Sequence, residues 1–243
     1  MLGLITGANR GLGLELVRLG LAQGDSILAA CRNTDGEQMT ELLTLKTDYP
    51  EFLEILQMDV TKEEEVKEAA DKVRKKYGHI DFLINNAGVL FEKMKMPGDC
   101  IRDLDIDMLR RNLEVNVVGT ALVCKYFIEQ LYRSVCPCIM NITSEAAHLS
   151  PKGYNYPAYS VSKYAANMYT QKLRNFLEEE RRELHMRIYM IHPGRMDTAM
   201  GKENAQIHPK EAAEGIYAIL SGRKEILPME IPFIDYKGRP MLC

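Results

Sequence analysis

Apolar residues fall along the chain in short unbroken runs, and between the runs they recur with the three- and four-residue spacing of a helix. Runs at 2–5, 26–31, 52–58, 80–84, 139–143, 186–191 and 231–236 read as strands. The stretches between them read as helices over 12–21, 35–48, 103–134, 157–184 and 210–220. In the 35–48 helix Met39, Leu42, Leu43 and Leu45 stand at helical spacing and Pro50 helps to close it. In the 103–134 helix Leu109, Leu113, Val117, Leu122 and Phe127 give an apolar side. Thr61 followed three residues later by Glu64 is a capping-box signature for one more helix, highly charged, that runs to about Tyr77. Strands and helices alternate throughout, with no linker-like stretch or internal repeat. A single α/β domain over residues 1–243 follows: a doubly wound, seven-stranded parallel sheet with right-handed crossovers that place helices on both faces.

The first strand runs into Thr6-Gly7-Ala8-Asn9-Arg10-Gly11-Leu12-Gly13 and so opens the first helix. Glycines at 7, 11 and 13 allow a sharp turn and a close approach of the backbone to a phosphate, and the N–H groups that start the helix lack intrahelical partners. This is the form of a Rossmann-type dinucleotide seat. Glycine clusters also close ordinary βα turns, and the spacing G-x-x-x-G-x-G departs from the commoner G-x-G-x-x-G. The second strand lies where a dinucleotide-binding unit needs it. It ends at Cys31 and is followed by Arg32, with no carboxylate to hold a ribose 2′-OH, so a 2′-phosphate suits this end.

Further along, Asn85-Asn86-Ala87-Gly88 follows the fourth strand, as a plain turn or as a wall of the ligand crevice. Asn116 interrupts the 103–134 helix, where an amide competes for backbone hydrogen bonds; it either faces the core for a reason or points to solvent. Ser144 follows the fifth strand, and His192-Pro193-Gly194 marks the end of the sixth. Tyr159 and Lys163 are four apart on the 157–184 helix and share a face, so the ammonium is expected to lower the phenol's pKa.

Composition narrows the field. A formal charge of −3 without a long basic run excludes nucleic-acid binding through a basic face. No stretch reaches the ~18 apolar residues needed to cross a bilayer, and no basic region precedes the first apolar run, so a cytoplasmic protein without a membrane partner is expected. The 6 cysteines are scattered and read as reduced thiols. Cys136-Pro137-Cys138 lacks a second ligand pair, and no metal site is expected.

Taken together and in order, the glycine turn, the 85–88 segment, Ser144, the Tyr159/Lys163 pair and the Pro193-Gly194 turn resemble the short-chain dehydrogenase/reductase family over essentially the whole chain. The ending Phe-Ile-Asp-Tyr-Lys-Gly-Arg-Pro looks most like the sniffer-type carbonyl reductases within it. The resemblance implies a catalytic set of Asn116, Ser144, Tyr159 and Lys163. Tyr159 would protonate the developing alkoxide, Ser144 would hydrogen-bond the same oxygen, Lys163 would hold ribose hydroxyls, and Asn116 would position a water. It implies cofactor contacts at Gly7, Asn9, Arg10, Gly11, Leu12 and Gly13, at Arg32 and Asn33, and at Asp59 and Val60. Asn86, Ala87 and Gly88, together with Tyr159, Lys163, Pro193, Met196 and Thr198, complete the cofactor set. Asp59 also has a reading as a turn residue before Thr61.

Arg10 and Arg32 can each make paired, charge-assisted bonds to a 2′-phosphate, so NADPH/NADP+ is expected over NADH. The implied activity is reduction of a ketone, aldehyde or quinone, a small-molecule carbonyl, in a pocket lined by Val89, Leu90, Phe91, Leu149, Tyr154 and Met200. A non-catalytic NADP(H)-sensing or scaffold protein and a methyltransferase are the competing classes. The spacing from Ser144 to Tyr159 is two residues longer than is usual in the family. Arg195, after Pro193-Gly194, is expected to point to solvent, the segment after Thr198 to form only a short lid, and the chain to form either a homodimer through Val123, Tyr126, Met168 and Tyr169 or a monomer.

Overall fold

Strand β1 (Leu2–Thr6) is hydrogen-bonded on both edges, and the sheet grows outward from it. In the computed structural model, which describes residues 1–92, 98–149, 153–198 and 205–242, β1 pairs with β2 (Ser26–Cys31) and β4 (Phe82–Asn85). Beyond these lie β3 (Leu53–Gln57) on one side and β5 (Cys138–Ile142), β6 (Arg187–His192) and β7 (Phe233–Asp235) on the other. The order is β3-β2-β1-β4-β5-β6-β7 with every pair parallel, so the seven-stranded, doubly wound arrangement expected from the sequence is the one present.

Successive side chains of each strand point to opposite faces, and two apolar layers result. Ile5, Ile27, Ile84 and Met140 pack under α1 (Gly11–Ala22), α2 (Thr40–Asp48) and α7 (Pro209–Leu220). Leu4, Leu28, Leu83 and Ile139 pack under α3 (Glu63–Tyr77), α5 (Thr120–Leu131) and α6 (Pro157–Glu180). Helix α4 (Ile106–Leu113) precedes α5 and lies against α6.

Several sequence expectations are corrected. The second helix begins later than residue 35, because Gly36 has φ 85° and a single 3-10 turn, Glu37–Met39, leads into α2. No capping box forms at α3: Thr61 Oγ1 donates to Asp59 Oδ1 at 2.8 Å instead, and Lys62 caps the helix without a side-chain bond. The long 103–134 helix starts at Ile106, where Asp105 accepts from the Met108 N–H, and passes through a π-helical turn at Glu114–Gly119. Helix α6 ends at Glu180, and Arg182–Leu184 is a separate 3-10 turn. Of the residues expected on a dimer face, Val123 is fully buried in the second apolar layer, Tyr126 bonds Glu63, and Tyr169 packs against the core; Met168 is half exposed.

Candidate active site

At the C-terminal edge of β1 the chain turns into α1 through Gly7 and Gly11, whose φ values of 63° and 53° suit glycine. Gly13 serves differently. A Cβ there would lie 2.2 Å from the Gly7 carbonyl oxygen, so its absence lets the helix pack against its own turn. Gly13 stands behind the cleft wall, which corrects its expected role as a cofactor contact. Asn86 locks the turn from the next strand: its Nδ2 donates to the carbonyls of Thr6 at 2.9 Å and Gly7 at 3.1 Å, while Thr6 Oγ1 accepts from the N–H groups of Asn86 and Ala87 at 3.0 Å.

The N-terminus of α1 has no side-chain cap and no acid in its first turn, and its positive end faces a cleft of ≈ 2430 Å³. Asn9, Arg10 and Leu12 line it here, and Arg32, Asn33, Asp59 and Val60 line its far end. Neither the Arg10 nor the Arg32 guanidinium has an ion-pair or hydrogen-bond partner among the described residues. Cys31 is turned into the core, and burial pushes its thiol up to about 11. The guanidinium beside it, and not the missing carboxylate, therefore characterises this end. Asp59 keeps both readings: it lines the cleft, and its Oδ1 accepts from the Thr61 N–H at 2.9 Å as in a turn.

At the other end Ser144, after β5, stands beside Tyr159 in the first turn of α6, where its hydroxyl favours the phenolate. The longer loop between them thus still closes. Lys163, one turn on, is 6% exposed and donates to the Ile142 carbonyl at 3.0 Å. Gly88 is held without a side chain here, since a Cβ would stand 3.3 Å from Lys163 Nζ and 3.2 Å from Asn116 Oδ1. Burial pushes the Tyr159 phenol up to about 12, against the effect of the Ser144 hydroxyl, and burial pushes Lys163 down to about 8. The depressed phenol pKa expected from the tyrosine–lysine spacing is therefore replaced by its opposite. Desolvation outweighs an ammonium 5.8 Å from the ring centroid.

Asn116 faces the core. It is 1% exposed and clasps Val89 in both directions, accepting from its N–H at 2.9 Å and donating to its carbonyl at 3.0 Å. Its second amide hydrogen reaches Ser162 Oγ at 2.9 Å. The π-helical turn explains how an asparagine sits mid-helix, because the widened turn aims its side chain inward. With both amide hydrogens committed to protein groups, Asn116 holds the loop and does not line the cleft.

Pro193, Met196 and Thr198 line the same end; Thr198 Cγ2 would be 3.4 Å from a Cβ at Gly11, which brings this segment over the glycine turn. Arg195 is not simply a solvent cation: it pairs with Glu145, the residue after Ser144. Burial opposes ionisation of Glu145, but the bond to Arg195 and the neighbouring His192 hold its pKa below the usual range. His192 Nδ1 accepts from the Glu145 N–H at 3.1 Å, and burial lowers its pKa. Val89, Leu90, Phe91, Leu149 and Tyr154 line the cleft mouth. Met200, with residues 199–204 of the expected lid, lies outside the described residues; the end of that segment returns to the cleft rim, where Ile207 bridges Met196 and the Gln206 N–H donates to the Arg195 carbonyl at 2.7 Å.

Two features escaped the sequence. Thr6 stands there only as the first residue of the glycine turn, and Glu92 is not singled out; its carboxylate accepts from the N–H groups of Ala158 and Tyr159. The unusual start of α6, Tyr156-Pro157, was the available signal that its donors need an external partner.

The family model described as short chain dehydrogenase matches residues 2–208. Among solved structures the chain is similar to the NADPH-bound carbonyl reductase from chicken fatty liver, with 26% identity, 99% of this chain and 98% of that chain covered, and a TM-score of 0.85. It is also similar to the carbonyl reductase Sniffer of D. melanogaster, with 25% identity, the same coverage and a TM-score of 0.85. Among curated proteins it is similar to the farnesol dehydrogenase of Aedes aegypti, 29% identical over 224 residues that cover 89% of this chain and 82% of that one.

Proposed function

The chain belongs to the short-chain dehydrogenase family, and from that premise we propose that it is an NADPH-dependent oxidoreductase that reduces a ketone, aldehyde or quinone to the alcohol. The observation that carries this reading is that Ser144, Tyr159 and the buried Lys163 share one cleft with the open N-terminus of α1. Both the chicken and the fruit-fly proteins similar to it are carbonyl reductases, and the former was solved with NADPH.

The residues fit the cofactor. Uncapped helix donors would hold the diphosphate, and the Arg10 and Arg32 side chains, unpaired among the described residues, would hold the 2′-phosphate. When bound, NADPH supplies the hydride. The chain's own groups supply the rest. With a pKa near 12, Tyr159 carries its proton at neutral pH, the form from which reduction starts, and gives it to the developing alkoxide. Ser144 donates to the same oxygen, where charge develops. Lys163, anchored through the Ile142 carbonyl, would hold ribose hydroxyls, and Asn116 fixes the 89–91 wall.

The apolar mouth supports an apolar carbonyl substrate, and Arg195, engaged with Glu145, supplies no ready site for an acidic one. The free thiols of Cys31, Cys100, Cys124, Cys136 and Cys138 accord with a cytosolic setting, and no helix among the described residues is long and apolar enough to cross a membrane. Self-association through the outer face of α6 belongs to the same proposal; a single 27.7 kDa species in light scattering would contradict it. Screening ketones, aldehydes and quinones at fixed NADPH, read by loss of nicotinamide absorbance, tests the activity. Tight NADPH binding with no turnover of any class would favour a sensing protein instead.

A further inference from the structure

Helix α6 begins at Pro157, after Tyr156, whose left-handed backbone (φ 55°) brings no side-chain cap bond. Pro157 has no N–H, so the first donors the helix must satisfy are those of Ala158 and Tyr159. One carboxylate takes both: Glu92 Oε1 accepts from the Ala158 N–H at 2.9 Å and Oε2 from the Tyr159 N–H at 2.6 Å. Glu92 is 8% exposed and has no cationic side chain paired with it among the described residues. The positive end of α6 stands in for the counter-ion.

The same turn is held from its other side. Ser162 Oγ donates to the Tyr159 carbonyl at 2.7 Å and accepts from Asn116, which clasps Val89. Val89 and Glu92 are the two ends of one segment, with Leu90 and Phe91 between them on the cleft wall. The backbone of Tyr159 is thus tied twice to the wall against which a substrate would lie.

We propose that Glu92 is a positioning residue for Tyr159, fixing the phenol relative to the 89–91 wall so that proton donor and substrate wall form one unit. This rests on the reading of Tyr159 as proton donor. A carboxylate offers one oxygen to each N–H, an amide a single oxygen to share, and a thioether neither. Glu92→Gln and Glu92→Met therefore form a graded series.

The test compares wild type and both variants for kcat, KM, NADPH dissociation constant, thermal midpoint and the backbone amide shifts of Ala158 and Tyr159. In Glu92→Met we expect kcat to fall by about tenfold or more, and in Glu92→Gln by about threefold, because small misplacements of a reacting group are costly. KM and NADPH affinity should stay within about twofold, and the two amide shifts should move in both variants. Unchanged kcat in both variants, or a fall matched by an equal loss of NADPH affinity, would overturn the proposal. If Glu92→Met fails to fold, the Gln variant decides on the same criteria. A wild type that reduces no carbonyl sinks the proposed activity, whereas amide shifts unmoved by substitution sink the role of Glu92 itself.

Discussion

Lys163 places its ammonium 5.8 Å from the centroid of the Tyr159 ring while donating to the Ile142 carbonyl at 3.0 Å, so the two side chains are buried together. Burial moves them in opposite directions, the lysine down to about 8 and the tyrosine up to about 12. Each is shifted toward its neutral form. The tyrosine then keeps its proton across the neutral range, and the lysine is the group that titrates near it.

The sign of the pH effect follows. As pH rises through about 8, Lys163 loses its charge, and in its proposed role it would then lose the charge assistance to its bonds with ribose hydroxyls. NADPH affinity should weaken by roughly tenfold above that point, since charge-assisted bonds are about twice as strong as neutral ones. Lys163→Arg keeps its charge throughout and should flatten the profile, whatever its absolute affinity. Binding measured by cofactor fluorescence checks this; a wild-type dissociation constant that is level through the alkaline range contradicts it.

Asn116 should behave as a structural residue. Its removal in Asn116→Ala orphans the Val89 N–H and carbonyl and takes away the donor from which Ser162 Oγ accepts. A cost of about 1–3 kcal/mol for each buried group left unpaired predicts a clear drop in denaturant stability, whereas Ser144→Ala should change it by less than about 1 kcal/mol. Equal stability of the two variants would show that the clasp contributes nothing.

How far the sequence could carry the reading depends on how far apart the partners lie. Strand runs and helical spacing are local, and they gave the sheet, its parallel sense and all seven strands. Tyr159 and Lys163 are one turn apart, and the glycine turn is contiguous, so both were legible. Glu92 and Tyr159 are 67 residues apart, and nothing local marks an acid as the cap of a distant helix. Gly13 looked like a ligand contact because small residues at such places do either job, and only the 2.2 Å approach to Gly7 marks it as a brace; Asn86 does both, bonding Thr6 and Gly7 while lining the cleft. The expected effect of Lys163 on Tyr159 failed for another reason. Sequence spacing gives the distance between charges but not their desolvation, and here desolvation dominates.

Gly13→Ala should be more damaging than its chemistry suggests. The added methyl would meet the Gly7 carbonyl oxygen at 2.2 Å, a backbone atom that cannot swing aside. Overpacking of this kind costs about 1–3 kcal/mol and would spread the cofactor seat. Thermal unfolding and NADPH titration should both show the loss. A variant with wild-type stability and affinity would mean that α1 can shift without disturbing the turn.

Arg10 and Arg32 predict cofactor preference. Each bond to a charged group contributes about 1.5–3 kcal/mol, so Arg10→Ala or Arg32→Ala should weaken NADPH binding by about ten- to a hundredfold while leaving NADH within about twofold. Isothermal titration with both cofactors measures it, and equal NADPH and NADH affinities in the unmodified protein would contradict the assignment.

The central claim is that Tyr159 donates the proton in an NADPH-dependent reduction, and Tyr159→Phe tests it most directly. The substitution removes one hydroxyl beside Ser144 and leaves the helix intact. Turnover of a reactive dicarbonyl should fall at least about a hundredfold, the lower end of what a positioned acid contributes, while the NADPH dissociation constant stays within about twofold. A folded Tyr159→Phe variant that reduces the same substrate at the wild-type rate would contradict the account.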